Sequence, residues 1–110
     1  MSFEYAIIVK NKTRLESLIE RFNTKAQAKF YIERLGGNFE DYELEHEVFH
    51  RSLVSLQTQL SKVIKNKTVE RIYLPSFIFS DKNLIIVIGQ DGLVANTAKY
   101  SKNCPIIAVN

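Results

Sequence analysis

The amino-acid sequence predicts an α/β domain built on a mostly parallel sheet. Three observations carry that expectation. Two short apolar, β-branched runs, "YAIIV" at residues 5–9 and "LIIVI" at 84–88, suit buried strands, the second one covered on both faces. Capping-box and amphipathic patterns between them suit helices. The resulting order of strand, helices, strand, strand, helix, strand is that of layered α/β domains. At 110 residues the chain is expected to form one small domain, short for a two-substrate enzyme with its own lid.

The first strand is expected from Tyr5 to Val9. In "TRLESLIERF" the apolar residues Leu15, Leu18, Ile19 and Phe22 fall at helical spacing, with Thr13 as N-cap and Glu16 completing a capping box. Thr24 and Gln27 repeat the pattern and open a second helix that stops at Gly36-Gly37. From Phe39 to Ile64 the residues Tyr42, His46, Phe49, Leu53, Leu56, Leu60 and Val63 alternate spacings of four and three, which is one long amphipathic helix. That seam could lie on the domain's own sheet or form a coiled-coil contact in a homodimer or homo-oligomer. His46 sits on it, as a packed core histidine or a ligand.

"KNKT" reads as a basic turn, "VERIYLP" as a strand ended by Pro75, and "SFIFSDK" as a loop. "NLIIVIG" then leads through Gly-Gln-Asp-Gly into the helix "LVANTAKYS", with "PIIAVN" as a last buried strand.

Composition excludes several classes. Hydrophobic residues make up 45% and charged residues 25% of the chain, as in soluble globular proteins, and no apolar run approaches the roughly 20 residues of a membrane helix. The N-terminus lacks a secretory leader, so the expected location is cytoplasmic and no membrane partner is expected. The lone Cys104 and two histidines offer no zinc-site spacing, and no metal ligand is assigned. The net charge of +3 hides two basic segments bracketing an acidic one, residues 36–50. The basic segments lack interleaved aromatics or a known nucleic-acid motif, so a nucleic-acid partner is not expected.

The chemistry is expected at Gly89-Gln90-Asp91-Gly92. Gly89 and Gly92 permit close backbone approach, and a helix starting near Leu93 would point unpaired N–H groups and its positive dipole end at the turn, which is a phosphate cradle. A carboxylate inside such a cradle repels phosphate unless a cation bridges them or it accepts a proton from an attacking hydroxyl. Equally, Asp91 could be a plain helix N-cap. No Gly-Lys-Ser/Thr follows, so this is not a Walker loop, and the third glycine of the dinucleotide fingerprint is absent.

The order and spacing of "IIVIGQDGLVANTAKYSKNCPIIAVN" resemble the N-terminal Gly-Gly-Asp-Gly region of the superfamily that contains NAD kinases and diacylglycerol kinases. "NKTRLESLIERFNTKAQAKFYIERLGG" with "GQDGLVANTAKY" resembles, more narrowly, NAD-kinase-like bacterial proteins often labelled sugar kinases. The resemblance implies a three-layer Rossmann-like domain, the N-terminal domain of an NAD-kinase-like fold. It implies phosphate transfer from ATP, with Mg2+, to the hydroxyl of a small-molecule alcohol. Asp91 matches the family's motif aspartate, which organises the phosphates or the acceptor hydroxyl, so it is the catalytic candidate. Gly89 and Gly92 match the phosphate-facing glycines, and Asn110 matches an asparagine that ends the following strand. Gln90 replaces the second glycine and Leu93 the usual threonine, which removes a hydroxyl contact; Asn96 and Thr97 could supply polar contacts instead or be ordinary helix residues. The family's second, β-rich domain with its Asn-Glu motif is not in these 110 residues. The chain is therefore expected to be an N-terminal fragment with little turnover alone.

Lys10, Asn11 and Arg14 follow the first strand, where ligands bind in open α/β sheets, and could neutralise nucleotide phosphates or simply be solvated. The rival expectation is a non-catalytic binding or oligomerisation module that has lost kinase activity.

Overall fold

A computed structural model of the chain describes residues 3–109. Its strands are β1 (Tyr5–Lys10), β2 (Lys65–Glu70), β3 (Asn83–Ile88) and β4 (Ile106–Val109). Its helices are α1 (Arg14–Phe22), α2 (Lys25–Arg34), α3 (Phe39–Ser61) and α4 (Asp91–Ala98), with a 3-10 helix at Arg71–Ser76. All four strands are parallel, in the order β2-β1-β3-β4, so the sheet is wholly rather than mostly parallel. Of the described residues, 3–11 together with 55–109 form one compact unit, and Lys12–Val54 a second.

In the sheet unit, Ile7, Val9, Val69, Ile85 and Val87 point to one face, where Leu74 of the 3-10 helix, Phe79 and Leu93 of α4 complete a dry core. Phe77 and Phe79, read as loop from sequence, meet edge to face at 4.7 Å over this core. The alternate residues Ala6, Ile8, Ile86 and Ile88 are also buried, so both faces of β1 and β3 are covered, as parallel strands require. On that second side, Gln57 Nε2 in the last turns of α3 donates to Thr68 Oγ1 of β2 at 2.9 Å.

Several elements differ from the sequence expectation. β2 begins at Lys65, inside the stretch expected to be a turn, because at the edge of the sheet Lys65 and Lys67, on the same face as Val69, can still reach water, Lys67 lying 4.9 Å over the Tyr5 ring. Pairing ends at Glu70, and the residues up to Pro75, which lacks an N–H, coil into the 3-10 helix. α3 ends at Ser61, leaving Val63 82% exposed and outside the apolar seam. β4 is an edge strand with Ile107 half exposed, not the buried strand its apolar composition suggests.

The second unit is helical. Leu15, Ala28, Ile32 and Phe39 form its core with Leu18, Ile19, Phe22 and Tyr42 packed around them. The capping box at α1 is complete: Thr13 Oγ1 accepts from the Glu16 N–H, and Glu16 Oε1 accepts from the Thr13 N–H. Thr24 caps α2 by accepting from the Gln27 N–H. α2 ends where Gly36 adopts φ +83°, a left-handed conformation that suits glycine.

Candidate functional site

The β3–α4 junction forms at the carboxyl edge of the sheet. β1 is flanked by β2 on one side and β3 on the other, so the chain's direction of travel across the sheet reverses there. Such switch points open a crevice beyond the strand ends, between the segments that follow the two strands. Here those segments are Asn11, exposed after β1, and Gly89-Gln90 after β3.

Gly89 has φ +152°, a conformation L side chains rarely adopt, and an added Cβ would stand 3.1 Å from Leu93 Cδ2. Its N–H donates to Val109 O at 3.2 Å, which fixes the turn against β4. Gly92 behaves differently. It is the second residue of α4, and a Cβ there would meet nothing within 4 Å.

The helix begins two residues before the position expected from sequence. Gln90 is the N-cap and Asp91 the first helical residue, so Asp91 is not the N-cap. Gln90 O accepts the Leu93 and Val94 N–H groups at 2.9 and 3.4 Å, while its side chain makes no capping hydrogen bond. The carboxylate of Asp91 is exposed on the first turn, where the helix dipole favours negative charge. Gln90 and Gly92 are exposed beside it.

The remaining candidates fall into distinct environments. Lys10 and Ile88 are register partners, so Lys10 ends β1 level with the residue before Gly89. Its stem leaves the sheet on the face opposite α4, and its ammonium stands 3.6 Å from Glu70 Oε2, at the end of β2. Asn96 is half-buried on α4. Thr97, for which a ligand contact and an ordinary helical position were both open, is fully buried and donates its hydroxyl to Leu93 O at 2.7 Å, an intrahelical bond. Arg14 belongs to the helical unit. There its guanidinium donates to Glu45, with Nη2–Oε2 at 2.7 Å, and lies 4.5 Å above the Tyr42 ring. That hydrogen bond holds the Glu45 carboxyl below its ordinary range and raises the already high pKa of Arg14. Asn110 lies outside the described residues.

Glu70 and the hydrogen-bond partner of His46 had no expectation attached. Glu70 was not read as a site residue, because only strand register reveals that it ends beside Lys10. His46, half-buried on α3, has Nδ1 2.9 Å from Thr13 Oγ1 and its ring 5.9 Å from that of His50 in a stacked arrangement. Cys104 Sγ donates to Ser80 O at 3.1 Å, and burial raises its pKa, as befits an inert thiol. Among the described residues no group of three or more His, Cys, Asp or Glu side chains could hold a metal ion, and no helix is long and apolar enough to cross a membrane. The chain matches no family model, no curated protein and no solved structure.

Proposed function

We propose that this chain is the nucleotide-binding, three-layer Rossmann-like part of an ATP-dependent small-molecule kinase of the NAD-kinase-like class, transferring phosphate to an alcohol hydroxyl. One observation carries the reading: a glycine at a φ that strains any side chain, followed directly by a helix start without a side-chain cap and bearing Asp91, stands at the switch point of a parallel sheet. The chemistry follows from the groups there. The N–H groups of the first turn of α4 offer positive charge to phosphate oxygens.

Asp91 would then hold the acceptor hydroxyl and take its proton, or face a cation shared with the phosphates. The donor set fits Mg2+, which keeps several waters and needs one or two carboxylates besides phosphate oxygens. Bound there, Mg2+ would neutralise phosphate charge. Further chain would have to supply the rest of the acceptor site and exclude water.

The direct test is phosphoryl transfer by the whole protein, with Asp91→Ala beside wild type. Loss of transfer by orders of magnitude with an intact circular-dichroism spectrum is expected; near wild-type activity contradicts the assignment. A second reading, a binding module without turnover, is favoured by one observation: Leu93, where the resembling family has a hydroxyl, is turned into the core. Nucleotide binding without transfer by the whole protein would select it.

A further inference from the structure

We infer that His46 and His50 form a two-histidine site for a late first-row divalent cation of the Zn2+, Ni2+ and Cu2+ class, with Thr13 and Glu16 orienting the His46 ring. Both histidines lie on α3, about one turn apart, in the helical unit. Residues spaced by four project from one helix face, and two histidines at that spacing can grip one ion together. Here the rings already lie side by side, stacked with centroids 5.9 Å apart and planes inclined by 11°. With Glu47, Arg51 and Val54 they line an open cavity of about 500 Å³, so water and ions reach both.

The His46 ring is held from behind. Its Nδ1 stands 2.9 Å from Thr13 Oγ1 and 4.0 Å from Glu16 Oε1. Two oxygens around one ring nitrogen, one of them a carboxylate, keep the proton on Nδ1 and leave the lone pair on Nε2. Both oxygens are themselves fixed, since Thr13 Oγ1 accepts from the Glu16 N–H and Glu16 Oε1 from the Thr13 N–H. An imidazole whose second nitrogen is tied to protein oxygen is the arrangement that orients histidine ligands around metals. His50 is exposed, and its ring can turn about a soft terminal torsion to bring its own nitrogen to the same ion. The neighbouring charges of Glu47 and Arg51 offset one another.

Imidazole suits these late cations, whereas Mg2+ and Ca2+ want oxygen ligands. Among the described residues no group of three His, Cys, Asp or Glu side chains could close around an ion, so water completes the sphere and the ion is exchangeable rather than structural. The site draws on no residue of the β3–α4 turn and does not depend on the phosphate reading.

Calorimetric titration of the untagged protein with Zn2+ tests this, with His46→Gln, His50→Gln, Thr13→Ala and Thr13→Ser beside wild type and thermal melts to show that each is folded. Wild type is expected to bind one Zn2+ saturably, to melt at a higher temperature with it, and to keep it in excess Mg2+. Either histidine substitution should abolish that binding. Because His50 is exposed, His50→Gln keeps the test decisive even where His46→Gln unfolds. Thr13→Ala should weaken Zn2+ binding about tenfold, as loss of an outer-shell partner does, and Thr13→Ser should restore it. Absence of Zn2+ binding by the folded wild type, or binding that survives His50→Gln, overturns the site. Undiminished binding by folded Thr13→Ala overturns the positioning role of Thr13.

Discussion

Lys10 and Ile88 are register partners at the ends of adjacent parallel strands, which brings a basic side chain level with the residue that leads into the Gly89 turn. The two are far apart in sequence and share no motif. Their pairing places Lys10, Glu70, Gly89 and the first turn of α4 along one edge of one sheet, at its switch point. Conformation and charge in that edge lead to separate predictions.

Gly89 and Gly92 should part company under substitution. Gly89→Ala forces a side chain onto φ +152° and against Leu93, so it should destabilise the protein by about 1–3 kcal/mol in urea unfolding. Gly92→Ala meets open space inside a helix, where alanine is favoured by about 0.5–1 kcal/mol, and should stabilise. If Gly92 serves phosphate approach, the same variant should lose triphosphate affinity while gaining stability. Equal stability effects at the two positions would contradict the turn geometry.

Thr13→Ala should cost the helical unit about 1–2 kcal/mol, because it removes the α1 cap and also the partner of His46 Nδ1. Thr13→Ser keeps the hydroxyl and should restore most of that stability in thermal melts. A loss as large in Thr13→Ser would mean that the methyl group, not the hydroxyl, matters at this buried position.

The Arg14–Glu45 pair adds an acid-sensitive component to stability. The pair lowers the Glu45 pKa from its ordinary 4.5, so its contribution is complete above that value and fades as the pH falls through the lowered one. Both side chains are well exposed, so the effect should be small and weakened by salt. Unfolding of Glu45→Gln followed from pH 6 to pH 3 should converge on wild type at the acid end; a constant difference over that range would exclude ion pairing as the cause.

Much of the fold was legible because local chemistry decided it. The Thr13–Glu16 capping box marked the start of α1 and Thr24, a single cap rather than the expected box, that of α2; Gly36 marked the end of α2, and continuous β-branched runs marked β1 and β3. The edge strands were misread for a common reason. β2 carries exposed lysines on the same face as buried Val69, and β4 is apolar yet leaves Ile107 half exposed, so at the edges of this sheet composition and burial part company. At the site, the glycine turn and Asp91 were visible in sequence, but the helix start was placed at Leu93, because Asp91 and Gly92 resemble turn residues. Neither the Lys10–Glu70 pair nor the Thr13–His46 contact could be seen, since both depend on partners brought together only by folding. For Thr97 a polar contact and an ordinary helix position were equally open; its hydroxyl satisfies the carbonyl of Leu93 in the core.

The central claim is that the turn between β3 and α4 receives phosphate. Amide chemical-shift mapping of the isotope-labelled chain during titration with ATP and Mg2+ tests it most directly. The account predicts saturable shifts concentrated at Gly89, Gln90, Asp91, Gly92 and Lys10, abolished in Gly89→Ala variants that remain folded. No shift at those amides, or saturable shifts confined to residues elsewhere in the chain, would contradict it.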